Sequence, residues 1–589
     1  MRFREDINGL RAIAVLPVIF FHAGLNGFEG GFLGVDVFLV ISGFLITSSI
    51  INNQRKERFS LLDFYDRRAR RILPSLVFTL LVTLVLAFVF MLPYDLKNFG
   101  QSLVATSLGA NNILLYFTSG YWSMAADFKP LYHTWSLGIE EQYYFIIPII
   151  FIVLFKKQKL LVSSLIMLFL ISFYATYTIE DKEFNFLIIL SRFWELCAGS
   201  LLALYMADNK TTKNNMLSLL GLVLISISYY NPYFISKNQA FVNLAPVLGT
   251  VMVIAFTKPE SYIYKFLSVK TITIIGLSSY SIYLLHQPIL AFLRLYSEGE
   301  VHVYKQLAFS LMAVPLGYLT WRFIESPFRE KSIIPNRQFY TLLACFIISF
   351  VSIGYFLHQS YGMSEYRFLN KYSYGSNPQV YADRAYGLAK SEFSSESNKK
   401  MLIVGNSFAR DFYNALEENG ATKGYEVIYL FSYDENRELS RELVRSADLT
   451  IFVSSAGMAN EINPYAVKES AIANKKELET YSNGNYYYIG TKNFGFDNNF
   501  VRHIDWSNSK DYMVDINESN IYADKIEREV FSDKYISLLD LYRVGNKVRL
   551  FTNDHRFISF DTNHITKDGA VYLGETVLQT TKLKKIILQ

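Results

Sequence analysis

Only two cysteines, Cys197 and Cys345, occur in 589 residues, and both lie in apolar runs. That excludes a disulfide framework or a thiolate metal site from the polar part of the chain, and no metal centre is expected. The formal charge of +5 is small for this length and follows the loops between apolar runs, so no basic face is available for nucleic acid. No small-residue cleavage site follows the first apolar stretch, which is therefore read as retained. What the chain does have is apolar length. Hydrophobic residues make up 51%, and through residue 357 they gather into stretches of about 20, enough for one bilayer crossing each. A lipid bilayer is thus the first partner the sequence specifies.

Crossings are predicted near 10–28, 32–52, 73–92, 137–155, 159–178, 184–206, 216–231, 240–256, 271–293, 304–324 and 339–357. The stretch 98–118, broken by Gln101, Ser102, Asn111 and Asn112, is read as an extramembrane or re-entrant helix. With a cytoplasmic N-terminus, this count places twenty-one Lys and Arg residues in inner segments and six in outer ones, the bias that the positive-inside rule expects. Eleven crossings then deliver the C-terminal part outside the cytoplasm.

Several ionisable groups sit where lipid-facing helices do not tolerate them, which points to a polar cavity. Arg11 and His22 are eleven positions apart, about three helical turns, so they share a face with roughly 16 Å between them. Arg11 can be a snorkelling anchor, whereas an imidazole at the depth of His22 needs a partner or a wet cavity. Asp36 lies in GVDVFLVISGFLI, where it can pair with a histidine or arginine. In YDRRARRILP, the charges set topology or bind phosphate, for which guanidinium groups are suited. HTWSLGIEEQ supplies His133, Glu140 and Glu141, SYSIYLLHQP supplies Tyr283 and His286, and Arg192 and Glu195, three apart, read as a helix-face ion pair.

Taken in order, Arg11-x10-His22, GVDVFLVISGFLI, Arg68-x-x-Arg71, HTWSLGIEEQ and SYSIYLLHQP resemble the acyltransferase-3 family of membrane acyltransferases over nearly all of residues 1–330. The resemblance implies about ten core helices, one further helix (here 331–357) where an exported domain follows, and acetyl-coenzyme A as cytoplasmic donor substrate. It also implies that Arg11 and His22 form the essential pair and that Arg68 and Arg71 form a second functional pair.

Residues 358–400 lack a clear period and read as a connector. From 401 to 589, short Ile/Val/Tyr-rich runs alternate with polar segments, which predicts one α/β domain with a parallel sheet. MLIVGNSF is a buried strand running into a turn, with Ser407 at its C-terminal end, where such sheets place ligands. YEVIYLFS, DLTIFVSS, YYYIGTKNF and YISLLDLY are the later candidate strands. FDTNHITKDG holds Asp561 and His564, which can orient and deprotonate a serine nucleophile. The domain resembles SGNH hydrolase-like domains fused to acyltransferase-3 membrane domains, with GNS for the usual GDS and without a clear Gly-x-Asn-Asp oxyanion block. Gly457 and Asn460 are poor substitutes for that block. The expected enzyme is a multi-pass bacterial inner-membrane O-acyltransferase that moves acetyl from acetyl-coenzyme A to a cell-surface polysaccharide hydroxyl, with lipopolysaccharide O-antigen as acceptor. His22 would act as base or acyl carrier, tuned by Asp36 or Glu141, and Ser407 would receive the acyl group. Peptidoglycan O-acetylation, or glycan deacetylation by the soluble domain, are the alternatives.

Overall fold

The computed structural model describes residues 4–118, 126–209, 211–233, 236–363, 378–394, 398–454, 456, 464–495, 497–504, 506–559, 561–580 and 582–587. The chain divides into two compact units. One comprises Met1–Val89, Asn98–Arg294 and Glu300–Phe356, and the other Phe90–Lys97, Leu295–Gly299 and Leu357–Gln589.

The first unit is helical. In order, it contains α1 (Glu5–His22), α2 (Gly34–Arg55), α3 (Leu61–Phe90), α4 (Pro93–Ser107), α5 (Asn111–Thr118), α6 (Trp135–Leu154), α7 (Gln158–Thr178), α8 (Lys182–Leu187) and α9 (Ile189–Asp208). There follow α10 (Asn215–Tyr230), α11 (Gln239–Phe256), α12 (Tyr262–Leu267), α13 (Lys270–Tyr296), α14 (Val303–Arg329) and α15 (Asn336–Gln359). Among the described residues, eight stretches are long and apolar enough to cross a membrane: α2, α3, α6, α7, α8 with α9, α11, α14 and α15. This is a multi-pass membrane protein. The other three of the eleven predicted crossings are helices of a different make: α1 carries Glu5, Asp6 and Arg11, α10 has 16 residues, and α13 is rich in Ser and Tyr. The stretch 98–118 folds into the end of α4 and the 8-residue α5, each too short to span.

One detail corrects the sequence reading of this unit. The first helix stops at His22 and not near 28, because glycines and Asn26 in HAGLNGFEGG favour turns over helix. The packing of α2 against α9 is backbone on backbone: a Cβ at Gly43 would fall 2.0 Å from Leu196 O, and one at Gly199 2.1 Å from Val40 O. Small residues are what permit such an approach between helices in lipid.

The second unit contains a parallel sheet. Its strands are β1 (Lys399–Val404), β2 (Tyr425–Leu430), β3 (Leu449–Val453), β4 (Tyr486–Ile489), β5 (Met513–Asp515), β6 (Tyr535–Ile536), β7 (Arg543–Val544) and β8 (Lys547–Arg549). The parallel sheet has the order β2-β1-β3-β4-β6, with Met401 registered against both Val427 and Leu449. Its connections run through α16 (Ser407–Glu418), α17 (Arg437–Ser446), α18 (Pro464–Tyr481) and α19 (Glu518–Phe531), and α20 (Lys567–Thr580) packs beside α16. All five predicted strands are present, although YISLLDLY contributes only two paired residues before it turns helical at Leu539. The small antiparallel sheet β5-β8-β7 has no counterpart in the sequence reading. Burial explains β1: after exposed Lys399, its last four residues are enclosed on both faces, as a central parallel strand requires.

Candidate active site

In the membrane unit, α1, α2, α3, α6 and α13 line a cavity of about 70 Å³. Arg11, Arg68 and Arg71 line it together with Glu140, Tyr144 and Tyr283. The YDRRARRILP cluster thereby splits. Arg70 is structural: its guanidinium donates to Asp66 at 3.1 Å, to the carbonyls of Phe328 and Ile334 at 3.0 and 2.9 Å, and to Asn336 at 2.8 Å. Arg68 and Arg71 face the cavity, and the buried Nε of Arg68 finds no hydrogen-bond partner among the described residues. A buried guanidinium donor left open onto a cavity suits an anionic ligand. Glu140 accepts from Ser42 at 3.2 Å and Tyr144 at 2.5 Å, whereas Glu141 is not among the residues lining this cavity.

Tyr283 connects this cavity to a histidine cluster. Its hydroxyl donates to the His133 carbonyl at 2.9 Å and shares a 2.8 Å bond with Ser136, and its ring lies 5.2 Å from that of His286. His286 sits edge-on between His22, at 5.2 Å, and His133, at 5.3 Å. A carbonyl oxygen only accepts, so the contacts of Nδ1 in His22 with Val18 O (3.1 Å) and in His286 with Tyr283 O (2.5 Å) fix the proton on Nδ1 in both rings. Nε2 is then the basic nitrogen of each. At His286 that atom has no partner among the described residues. Three adjoining imidazoles can hold or move a proton.

Asp36 is elsewhere. It pairs with Arg192 at 3.0 Å, and Arg192 also donates to Glu195 at 2.8 Å, with all three side chains fully buried. The expected i,i+3 ion pair is present, with Asp36 as a third member. This corrects the reading in which Asp36 or Glu141 tunes His22, because the close polar neighbours of His22 are His286 and Arg294. Arg294, at the end of α13, donates to the His22 carbonyl at 2.5 Å, where the helix C-terminus leaves an oxygen unpaired. The sequence reading counted Arg294 only as a loop charge. It also passed over Glu325, a buried acid in a π-helical turn, Trp321–Glu325, which accepts from Ser281 at 2.8 Å and pairs with Arg329. An acid inside the apolar run WRFIESP was the available signal.

In the second unit, β1 ends in a sharp turn. Gly405 takes φ +135°, and a Cβ there would lie 2.7 Å from Val453 O, so glycine is required for the chain to swing into α16. Asn406 caps that helix by accepting from the Phe408 amide at 2.9 Å. Ser407 is the first helical residue, so its backbone amide is among those an α-helix leaves without an internal acceptor. Its Oγ stands 2.9 Å from Nε2 of His564, and His564 Nδ1 donates to Asp561 at 2.5 Å. Burial works against ionisation of Asp561, but the His564 charge and hydrogen bond, with the amides of His564 and Asn563, hold its carboxyl below the usual carboxylate range. All three predicted residues therefore meet in the order that serine activation needs. Gly457 and Asn460 lie outside the described residues.

A family model described as "Acyltransferase domain", acyltransferase-3, matches residues 4–322, more than half of the chain. The chain belongs to that family. It is 32% identical over 360 residues to an O-acetyltransferase, OatA, of Staphylococcus aureus, covering 56% of this chain and 58% of the relative. It is 30% identical over 356 residues to a peptidoglycan O-acetyltransferase, OatA, of Listeria monocytogenes, covering 56% of this chain and 57% of the relative. The match spans little more than half the length of these curated relatives. No solved structure matches.

Proposed function

We propose that the chain is an O-acetyltransferase that takes acetyl from acetyl-coenzyme A on the cytoplasmic side and delivers it to a hydroxyl of peptidoglycan outside. The observation that carries this reading is the contact of Ser407 Oγ with His564 Nε2 at 2.9 Å, backed by Asp561, in a chain whose other unit belongs to an acyltransferase family. Arg11, Arg68 and Arg71 hold the coenzyme's phosphates at the inner face, an orientation supported by the twenty-one to six bias of basic residues. His22 acts as base or transient acyl carrier. Ser407 Oγ then attacks the acetyl carbonyl, its proton passing to His564 Nε2 and from there to the donor atom as the bond to the donor breaks, which leaves His564 neutral. The glycan hydroxyl next gives its proton to His564 and attacks the ester, and Ser407 recovers its proton as the bond breaks. The Ser407 amide stabilises the oxyanion from the helix N-terminus. Peptidoglycan replaces O-antigen as the acceptor because a relative is named for that substrate.

The test is ester-bound acetate released by mild alkali from purified peptidoglycan of cells with the chain, without it, and with His22→Ala or Ser407→Ala. Acetate present only with the intact chain is the expected result. Equal acetate in all four overturns the reading, and acetate that falls when the chain is added makes the second unit a deacetylase.

A further inference from the structure

The Ser407–His564 distance depends on two elements 157 positions apart in the sequence, and a third element touches both. Lys492 follows β4 and is 1% exposed. Its ammonium donates to the carbonyl of Asn563 at 2.5 Å, pairs with Asp411 at 2.9 Å and lies 3.6 Å from the centre of the Phe408 ring. Each contact falls beside the relay: Asn563 lies between Asp561 and His564, Phe408 follows Ser407, and Asp411 is one helical turn further along α16. Asp411 in turn accepts from the amide of Ile565, the residue after His564, at 3.2 Å. The segment 561–565 is thus tied to the serine helix on both sides of His564.

We propose that Lys492, with Asp411, is a positioning residue that sets the reach and basicity of His564 toward Ser407, an inference that rests on the reading of Ser407 as nucleophile. Burying an ammonium is costly, and an apolar side chain of equal volume would fill the same space without that cost. Fill alone therefore does not account for a lysine here. A cation at this place also opposes protonation of His564. Among the described residues, charge near that ring is carried by Asp561 on its own loop, Asp411 and Arg410 on α16, and Lys492 after β4; Arg410 in turn pairs with Asp383 at 2.8 Å. Removing Lys492 leaves the anions in excess, so His564 becomes easier to protonate. Removing the charge of Asp411 does the reverse.

The experiment uses the purified full chain in detergent and a fluorophosphonate probe, with the Ser407 peptide quantified by mass spectrometry across the pH range where histidine titrates. Lys492→Met is expected to slow labelling about 10- to 100-fold, as small misplacements of reacting groups do, and to move the acid limb of the rate profile to higher pH. Asp411→Asn is expected to move that limb to lower pH, and it supplies the measurement if the Met variant does not purify. A residue that only stabilises the fold would not give opposite shifts. Wild-type rate and limb in folded Lys492→Met, or shifts of the same sign in the two variants, overturn the proposal. Failure of the wild-type chain to label at Ser407 sinks the nucleophile reading itself, and the positioning role with it.

Discussion

His564 Nε2 lies 2.9 Å from Ser407 Oγ across 157 positions of sequence. Because Asp561 holds the other ring nitrogen, the imidazole is locked in the tautomer that accepts the serine proton. Asp561→Asn lets the ring flip its proton, and acyl-enzyme formation should fall by roughly 10³–10⁴-fold with the fold intact. Radiolabelled acetyl on Ser407, counted in wild type and variant, is the check. The native carboxyl is depressed, so it contributes stability above the ordinary aspartate pKa and loses it as pH falls through the lower folded value. An activity limb in the neutral range therefore does not report Asp561.

Arg68 and Arg70 are two residues apart and should fail differently. Arg68→Ala removes a cavity-lining cation whose Nε has no partner among the described residues, so KM for acetyl-coenzyme A should rise about tenfold or more with normal protein levels. Arg70→Ala breaks four hydrogen bonds and leaves the carbonyls of Phe328 and Ile334 without that donor, while Asp66 keeps Lys331 and Tyr340; this costs roughly 2–4 kcal/mol and should show as loss of folded protein. Detergent-extract thermal stability and donor saturation curves, measured on both, separate the two roles. Equal KM effects would refute the split.

Much of this arrangement was legible in the sequence because its signals are local. Apolar runs marked most of the helices, Ile/Val-rich runs marked the five parallel strands, and the family resemblance singled out Arg68 and Arg71. The partners of Asp36 were legible only as alternatives, since its pairing with Arg192 depends on how α2 meets α9, which no periodicity encodes. The short antiparallel strands escaped notice for a related reason: two or three residues do not make a period, and their pairing is set by tertiary context. Lys492 was invisible because a lone lysine in a polar segment reads as a surface charge until the fold encloses it.

Gly43 tests the link between helix packing and the buried ion cluster. An alanine there puts a methyl 2.0 Å from Leu196 O, a backbone atom that cannot turn aside, so α2 and α9 must separate. Asp36 and Arg192 ride on those two helices, and their 3.0 Å contact should lengthen or break. Gly43→Ala is expected to reduce both thermal stability and acetyl transfer, and Gly199→Ala to do the same from the other helix. Unchanged stability in both variants would show that the backbone contact does not hold the cluster.

Glu527 gives the second unit a pH-dependent stability apart from the relay. Its carboxyl is buried and accepts from Ser454 at 2.5 Å, Tyr488 at 3.2 Å and Tyr535 at 3.4 Å. Burial outweighs these donors and, with the charge of Asp524 nearby, pushes its pKa up to about 7. A carboxyl raised on folding contributes its stability fully below the unfolded value and loses it as pH climbs through the folded one. Stability of the second unit should therefore decline between about pH 4.5 and pH 7, by about 3 kcal/mol if Glu527 acts alone. Hydrogen exchange of the β3 and β4 amides in the full chain measures this decline, and Glu527→Gln, which keeps the acceptor and removes the titration, should flatten it. A slope that persists in the glutamine variant would assign the effect to another group.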